Sequence, residues 1–191
     1  MNIFEEFTEK LINQQIVNKR DKELYVYGFQ QGTILFLNII TVIVIGAIFN
    51  MVLQSIVFMI TYCLLRVYAG GYHASSQLMC YMFSIGMIVV VLLGIKLIPW
   101  NNFICYIVTI TSSAIILLLG PVEDKNKTLD KEELSVFKKR IRVILTAIVL
   151  ANLVLLFIGQ SQISICIDMA MITLSIMLIL GKIKRLSEVY T

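Results

Sequence analysis

Apolar residues run through this sequence in long stretches, interrupted by short polar islands. No Asp, Glu, Lys or Arg occurs from Leu24 to Leu65, from Val67 to Ile95, from Leu97 to Val122, or from Val143 to Ile167. The first of these stretches is 42 residues long. As one helix rising about 1.5 Å per residue it would extend roughly 60 Å, twice a hydrocarbon core of about 30 Å. It must fold back, and Asn50 is the natural place for the turn. The same argument predicts six spans, at about residues 33–49, 51–66, 80–98, 102–119, 142–158 and 163–181. Several are short for a bilayer, so tilt, local thinning or re-entry is expected beside full crossings.

The start of the chain has a different period. Ile3, Phe4, Phe7, Leu11, Ile12 and Ile16 recur at helical spacing with charged residues opposite, which predicts an amphipathic helix lying on the membrane surface. Glu5, Glu6 and Glu9 stand where a signal peptide would carry basic residues, so a cleavable leader is not expected. Tyr25, Tyr27 and Phe29 form an aromatic belt before the first span. The expected fold is all-α: a polytopic integral membrane protein of about six transmembrane or re-entrant helices behind an N-terminal amphipathic interfacial helix. It is read as one domain over 1–191, with an interfacial region at 1–32 and a helical membrane bundle at 33–181. Cytoplasmic loops are expected at 66–80 and 121–142, and a cytoplasmic tail at 182–191.

Composition narrows the class. With 59% apolar residues, 15% charged residues and a mean hydropathy of +0.89, a single soluble domain of this length could not bury its hydrocarbon, and disorder is excluded as well. Ten Gly, 2 Pro and 4 Cys exclude collagen-like and disulfide-scaffold chains. Placing the N-terminus inside puts 15 of the 16 Lys and Arg in cytoplasmic segments, leaving only Lys96 toward the outside. Both termini are therefore expected in the cytoplasm. The net charge of +4 then reflects topology and contact with anionic lipids. Nucleic acid is not an expected partner, since no stacking aromatics interleave with the basic run at 138–142.

The candidate chemistry lies in the polar island Arg66-Val67-Tyr68-Ala69-Gly70-Gly71-Tyr72-His73-Ala74-Ser75-Ser76-Gln77-Leu78-Met79-Cys80. Cys63, Cys105 and Cys166 sit inside apolar spans without a pairing pattern and are expected as core residues. Cys80 differs, because it follows the single histidine, His73, by seven positions. A cysteine nucleophile needs a base to supply thiolate, and histidine is the usual supplier. A structural histidine capping a helix end is the equal alternative. Zinc would want three or four ligands, so no metal or other cofactor is expected. Residues seven apart on a straight helix are separated by about 10 Å, beyond a hydrogen bond of roughly 3–3.5 Å. A working pair therefore requires Gly70 and Gly71 to bend the chain, with a helix starting near Ser75 or Ser76 as N-cap.

The pattern Arg66-x3-Gly70-Gly71-x-His73-x6-Cys80 resembles the signature of the accessory gene regulator protein B (AgrB) family, membrane peptidases of Gram-positive quorum sensing. Gly120-Pro121-Val122-Glu123-Asp124-Lys125-Asn126-Lys127, followed by a basic stretch, resembles that family's second cytoplasmic loop. Length, span pattern and loop order agree over essentially the whole chain. The resemblance implies a cysteine endopeptidase in a bacterial cell membrane, with Cys80 as nucleophile and His73 as its base. Its implied substrate is an AgrD-type propeptide, which is cut, held as a thioester and released as a cyclic thiolactone signal.

The remaining site candidates carry two readings each. Arg66 can bind a substrate carboxylate or carbonyl, or merely anchor a span end by snorkelling. Gly70 and Gly71 allow close backbone approach or loop flexibility, and Ser75 and Ser76 can cap the helix bearing Cys80. Lys125 and Lys127, with the cations up to Arg142, can dock an acidic precursor tail or touch lipid phosphates, and lipid is favoured. Asp168 is an ionisable group inside a span with no evident cation, and is unassigned. Two rival classes are a small transporter or exporter and a non-catalytic membrane adaptor. A transporter predicts internal repeats, and the sequence contains none. A homodimer is an open alternative to a monomer.

Overall fold

The computed structural model describes residues 3–72, 77–122 and 130–189. Among them the chain forms seven α-helices: α1 (Ile3–Asn13), α2 (Lys22–Ile48), α3 (Val52–Ala69), α4 (Gln77–Leu97), α5 (Asn102–Leu119), α6 (Lys131–Ile158) and α7 (Ser161–Val189). Helices α2 to α7 are each long and apolar enough to cross a membrane, so the chain is a multi-pass membrane protein. The all-helical expectation and the N-terminal helix are both found.

Residues 1–41 make one compact unit. Within it α1 is tied to the start of α2 by a Lys22 Nζ hydrogen bond to Glu9 Oε1 at 2.6 Å and by an edge-on contact of Phe7 with Phe29 at 5.1 Å. The Lys22 hydrogen bond and charge hold the Glu9 carboxyl below the usual carboxylate range. Ile3 and Phe7 stay exposed on α1, as an interfacial stripe requires.

Residues 42–191 make the second unit, in which the helices run up and down with short connections. Asn50 has a φ of 56°, the left-handed conformation that asparagine tolerates, and turns α2 into α3 as expected. Helix α7 is the centre: 61% of its apolar stretch is buried, against 11–33% for the other five. Its inner residues, among them Ala170, Met171, Leu174 and Leu178, are fully enclosed. Elsewhere apolar side chains such as Leu118, Phe157 and Val90 point outward, as they must in lipid.

Lipid tails do not drive apolar helices together, so close packing at small residues must hold the bundle. A side chain at Gly46 would collide with Ser55, and one at Gly94 would lie 2.8 Å from Met169 Cε. Polar residues on outward faces satisfy themselves locally. Thr111 Oγ1, for example, donates to the Ile107 carbonyl one turn back at 2.8 Å.

Two helices run beyond the expected spans. α6 begins at Lys131 rather than near 142, because Asp130 and Glu133 form a capping box, and the Asp130 N–H donates to Glu133 Oε2 at 3.3 Å. α7 continues through Lys182, Lys184 and Arg185, so most of the expected tail is helix. Charge-free length measures the membrane crossing, and helices do not stop where it ends.

Candidate active site

Gly70 ends α3. Its N–H donates to the Arg66 carbonyl at 2.9 Å, and its φ of 70° turns the chain out of the helix. Gly71 follows with a φ of 124°. Both values favour glycine, which explains the doublet. The freed backbone is then held from two sides. Val122 N–H donates to the Ala69 carbonyl at 2.9 Å, and Gly70 and Val122 form a parallel bridge. Tyr72 N–H donates to the Met177 carbonyl on α7 at 2.9 Å. A side chain at Gly70 would strike the Val122 carbonyl oxygen, and one at Gly181 would lie 2.8 Å from Gly71 C and Tyr72 N. The two motif islands, far apart in sequence, thus meet at one end of the bundle against the last turns of α7.

Arg66 is committed to its own chain. Its Nη1 donates to the Tyr62 hydroxyl at 2.6 Å and its Nη2 to the Tyr72 carbonyl at 2.7 Å, with the guanidinium 5.5 Å from the Tyr62 ring centre. The residue fixes the backbone immediately before His73. Of the two readings of the sequence, substrate contact and snorkelling, neither describes this clamp. The Tyr72 ring meets Phe83 of α4 edge-on at 5.8 Å and Lys184 Nζ at 5.2 Å.

Cys80 is the fourth residue of α4 and half-buried. It stands three residues before Phe83, on the same helix face. Through Phe83, that face of α4 packs on Tyr72. His73, Ser75, Ser76, Lys125 and Lys127 lie outside the described residues, and so does the expected N-cap of α4. Cys105 and Cys166 are buried as expected, but Cys63 is exposed on α3. The expectation of a core residue fails there because a span has two faces and the apolar run does not say which one turns to lipid. Among the described residues no three His, Cys, Asp or Glu side chains gather as a metal-binding group.

Several residues of this region carry no signal as motif members. Tyr62, Phe83, Met177 and Gly181 come from three different helices, and only their packing brings them to the glycine doublet. Gly181, a lone glycine just before the cations that close the last span, is the one with a visible trace in the sequence.

A second polar cluster lies toward the other end of the bundle. Asp168 on α7 is fully enclosed, and its Oδ1 accepts from Thr109 Oγ1 at 2.7 Å and from Asn152 Nδ2 at 2.9 Å. Asn152 Nδ2 also lies 3.0 Å from Thr109 Oγ1. The partners of Asp168 are neutral donors from α5 and α6, which a search for cations could not find.

A family model described as Accessory gene regulator B matches residues 4–179. Among curated proteins the chain is similar to AgrB-like protein 2 of Clostridium perfringens strain 13, at 27% identity over 69% of this chain and 65% of that protein. It is also similar to AgrB-like protein 1 of the same strain, at 28% identity over 78% of this chain and 79% of that protein. The match thus spans slightly less than two thirds of the first relative's length. No solved structure matches the chain significantly. With the family model covering nearly all of the membrane bundle and both motif islands, the chain belongs to the accessory gene regulator B family.

Proposed function

We propose that this chain is a membrane cysteine endopeptidase that matures an AgrD-type propeptide for quorum sensing. The observation that carries the reading is the packing of the Cys80 face of α4, through Phe83, on Tyr72, the residue before His73. Arg66 and the Gly70–Val122 bridge hold that segment from behind. Arg66 acts here as a positioning residue.

His73 takes the Cys80 thiol proton, and Sγ attacks the scissile carbonyl at the C-terminal side of the future signal. The C–N bond breaks, the proton passes from His73 to the leaving amine, and the N-terminal fragment remains as a thioester on Cys80. A thiol within that fragment then attacks the same carbonyl. The bond to Cys80 Sγ breaks, the ring closes as a thiolactone, and the proton of the attacking thiol returns through His73 to Cys80. One thioester replaces another, so ring closure costs little, whereas hydrolysis would discard the activated acyl group. A site among membrane helices limits the water available for that loss.

The test is co-expression with an AgrD-type precursor, read by mass spectrometry. Cys80→Ala and His73→Ala are expected to abolish cleavage while the protein remains in the membrane. Cleaved precursor at near wild-type level with Cys80→Ala would overturn the assignment. A thiol-reactive probe separates this reading from a non-catalytic adaptor: Cys80 should react far faster than Cys63, although Cys63 is the more exposed.

A further inference from the structure

Asp168 lies within the apolar stretch of α7, and the proposed chemistry does not use it. Asp168 and its neighbour Asn152 are both fully enclosed. Asp168 Oδ1 accepts from Asn152 Nδ2 at 2.9 Å and from Thr109 Oγ1 at 2.7 Å, yet Asp168 Oδ2 and Asn152 Oδ1 have no partner. The donors of the cluster are already committed. The Asn152 amide points at Asp168 Oδ1 and Thr109 Oγ1, and the single Thr109 hydroxyl proton is shared between Oδ1 and the Cys105 carbonyl. The Ser164 hydroxyl, one turn before Asp168 on α7, is itself unpartnered and does not reach the carboxyl.

An ionised carboxylate can only accept, so an ionised Asp168 leaves two buried acceptors without a donor. It also leaves a full negative charge inside a span. Among the described residues Asp168 takes part in no ion pair. Of the titratable groups on the surrounding helices, the Cys105 thiol of α5 faces it, and no Lys, Arg, Tyr or second carboxyl of α3, α4, α6 or α7 acts on it. A thiol is a weak donor and supplies no positive charge. Burial of an unpaired charge among apolar helices favours the neutral acid. One proton answers both needs. On Oδ2 it turns an unpartnered acceptor into a donor, and the unpartnered acceptor on Asn152 belongs to the amide already bonded to the other carboxyl oxygen. A carboxylic acid and a primary amide are complementary in this way, N–H to C=O along one edge and O–H to C=O along the other.

We propose that Asp168 is a proton-binding site: its Oδ2 holds a proton at neutral pH and donates it to Asn152 Oδ1, closing a cyclic acid–amide pair between α7 and α6. The pair requires only that the two side chains share a plane around the 2.9 Å contact already present. The donor set suits a proton better than a metal ion. Hard cations gather about six oxygens, whereas the unpartnered side-chain oxygens here are Asp168 Oδ2, Asn152 Oδ1 and, a turn away, Ser164 Oγ. The pair fixes α6 against α7, the helix whose Met177 carbonyl holds Tyr72 at the motif end.

The test is infrared spectroscopy of the full chain in phosphatidylcholine nanodiscs at about pH 8, where water-exposed carboxyls are ionised. The other Asp and Glu residues lie at positions 5–23, 123–133 and 188, outside the centres of the spans. One C=O band of a protonated carboxylic acid is expected, above the amide bands in frequency and lost in Asp168→Asn. Asn152→Ala should move that band to higher frequency, because the acid carbonyl then accepts one hydrogen bond fewer. Heavy-carbon labelling of aspartate should shift the wild-type band, which needs no variant to fold. A wild-type spectrum without an acid band would overturn the proposal, as would a band that survives Asp168→Asn or ignores the aspartate label. A band unmoved in Asn152→Ala would mean an acid without its amide partner and would overturn the pair. Exchanging sodium for choline should leave the band and the unfolding midpoint unchanged. A midpoint that falls in choline, with no acid band, would mean a carboxylate that binds a cation instead.

Discussion

An alanine at Gly70 meets two penalties at once, a φ of 70° and the Val122 carbonyl oxygen. Gly70→Ala is expected to cost about 1–3 kcal/mol, read as a lower unfolding midpoint in detergent. Gly181 gives the sharper test. In a helix, alanine is better than glycine by about 1 kcal/mol, so an unconstrained Gly181→Ala would stabilise the protein. Because the added methyl would lie 2.8 Å from Tyr72 N, we expect a lower midpoint and slower precursor cleavage instead. Asp168 belongs to the same scale. Asp168→Ala removes one of the two acceptors of the buried Asn152 amide, leaving Thr109 Oγ1 as the other, at about 1–3 kcal/mol, while Thr109 keeps the Cys105 carbonyl as its own acceptor. Asp168→Asn retains an acceptor oxygen, so the expected order of midpoints is wild type, Asn, then Ala.

At the scale of elements, α1 is the helix with the least evident structural need. Six helices are already long and apolar enough to hold the chain in the membrane, and a further interfacial anchor adds little. We therefore expect its apolar stripe to receive the leader of the precursor. Each such residue contributes about 1–2 kcal/mol at an interface, less than full burial in a core. Phe4→Ser with Phe7→Ser should raise the precursor concentration needed for half-maximal processing without changing the rate at saturation. Unchanged processing of limiting precursor, at equal enzyme level, would rule this role out. Phe7 also packs on Phe29, so circular dichroism of the variant must show α1 and α2 retained.

For the whole molecule, the up-and-down helix order puts both motif islands and the ends of α3, α5 and α7 at one end of the bundle. The distribution of cations predicts that this end faces the cytoplasm. Impermeant maleimide on intact cells should label Asn101→Cys, in the turn between α4 and α5, and should not label Lys127→Cys. External labelling at position 127 would reverse the topology and move the proposed site to the other side of the membrane.

The sequence by itself determined the helical class, the number of helices apolar enough to cross a membrane and the turn at Asn50, and its motif resemblance singled out Cys80 as the candidate to test. The first three follow from a one-dimensional quantity, charge-free length against bilayer thickness. Tertiary structure alone decided that Arg66 clamps the Tyr72 carbonyl, that Val122 and α7 hold the glycine doublet, and that Thr109 and Asn152 receive Asp168. It also decided that Cys63 faces outward while Cys105 and Cys166 do not. The physical reason is common to all of them. In a chain this uniformly apolar, hydropathy places a residue along the membrane normal but says little about which way it faces around its helix. That rotation is set by close packing of small residues and by hydrogen bonds between segments distant in sequence.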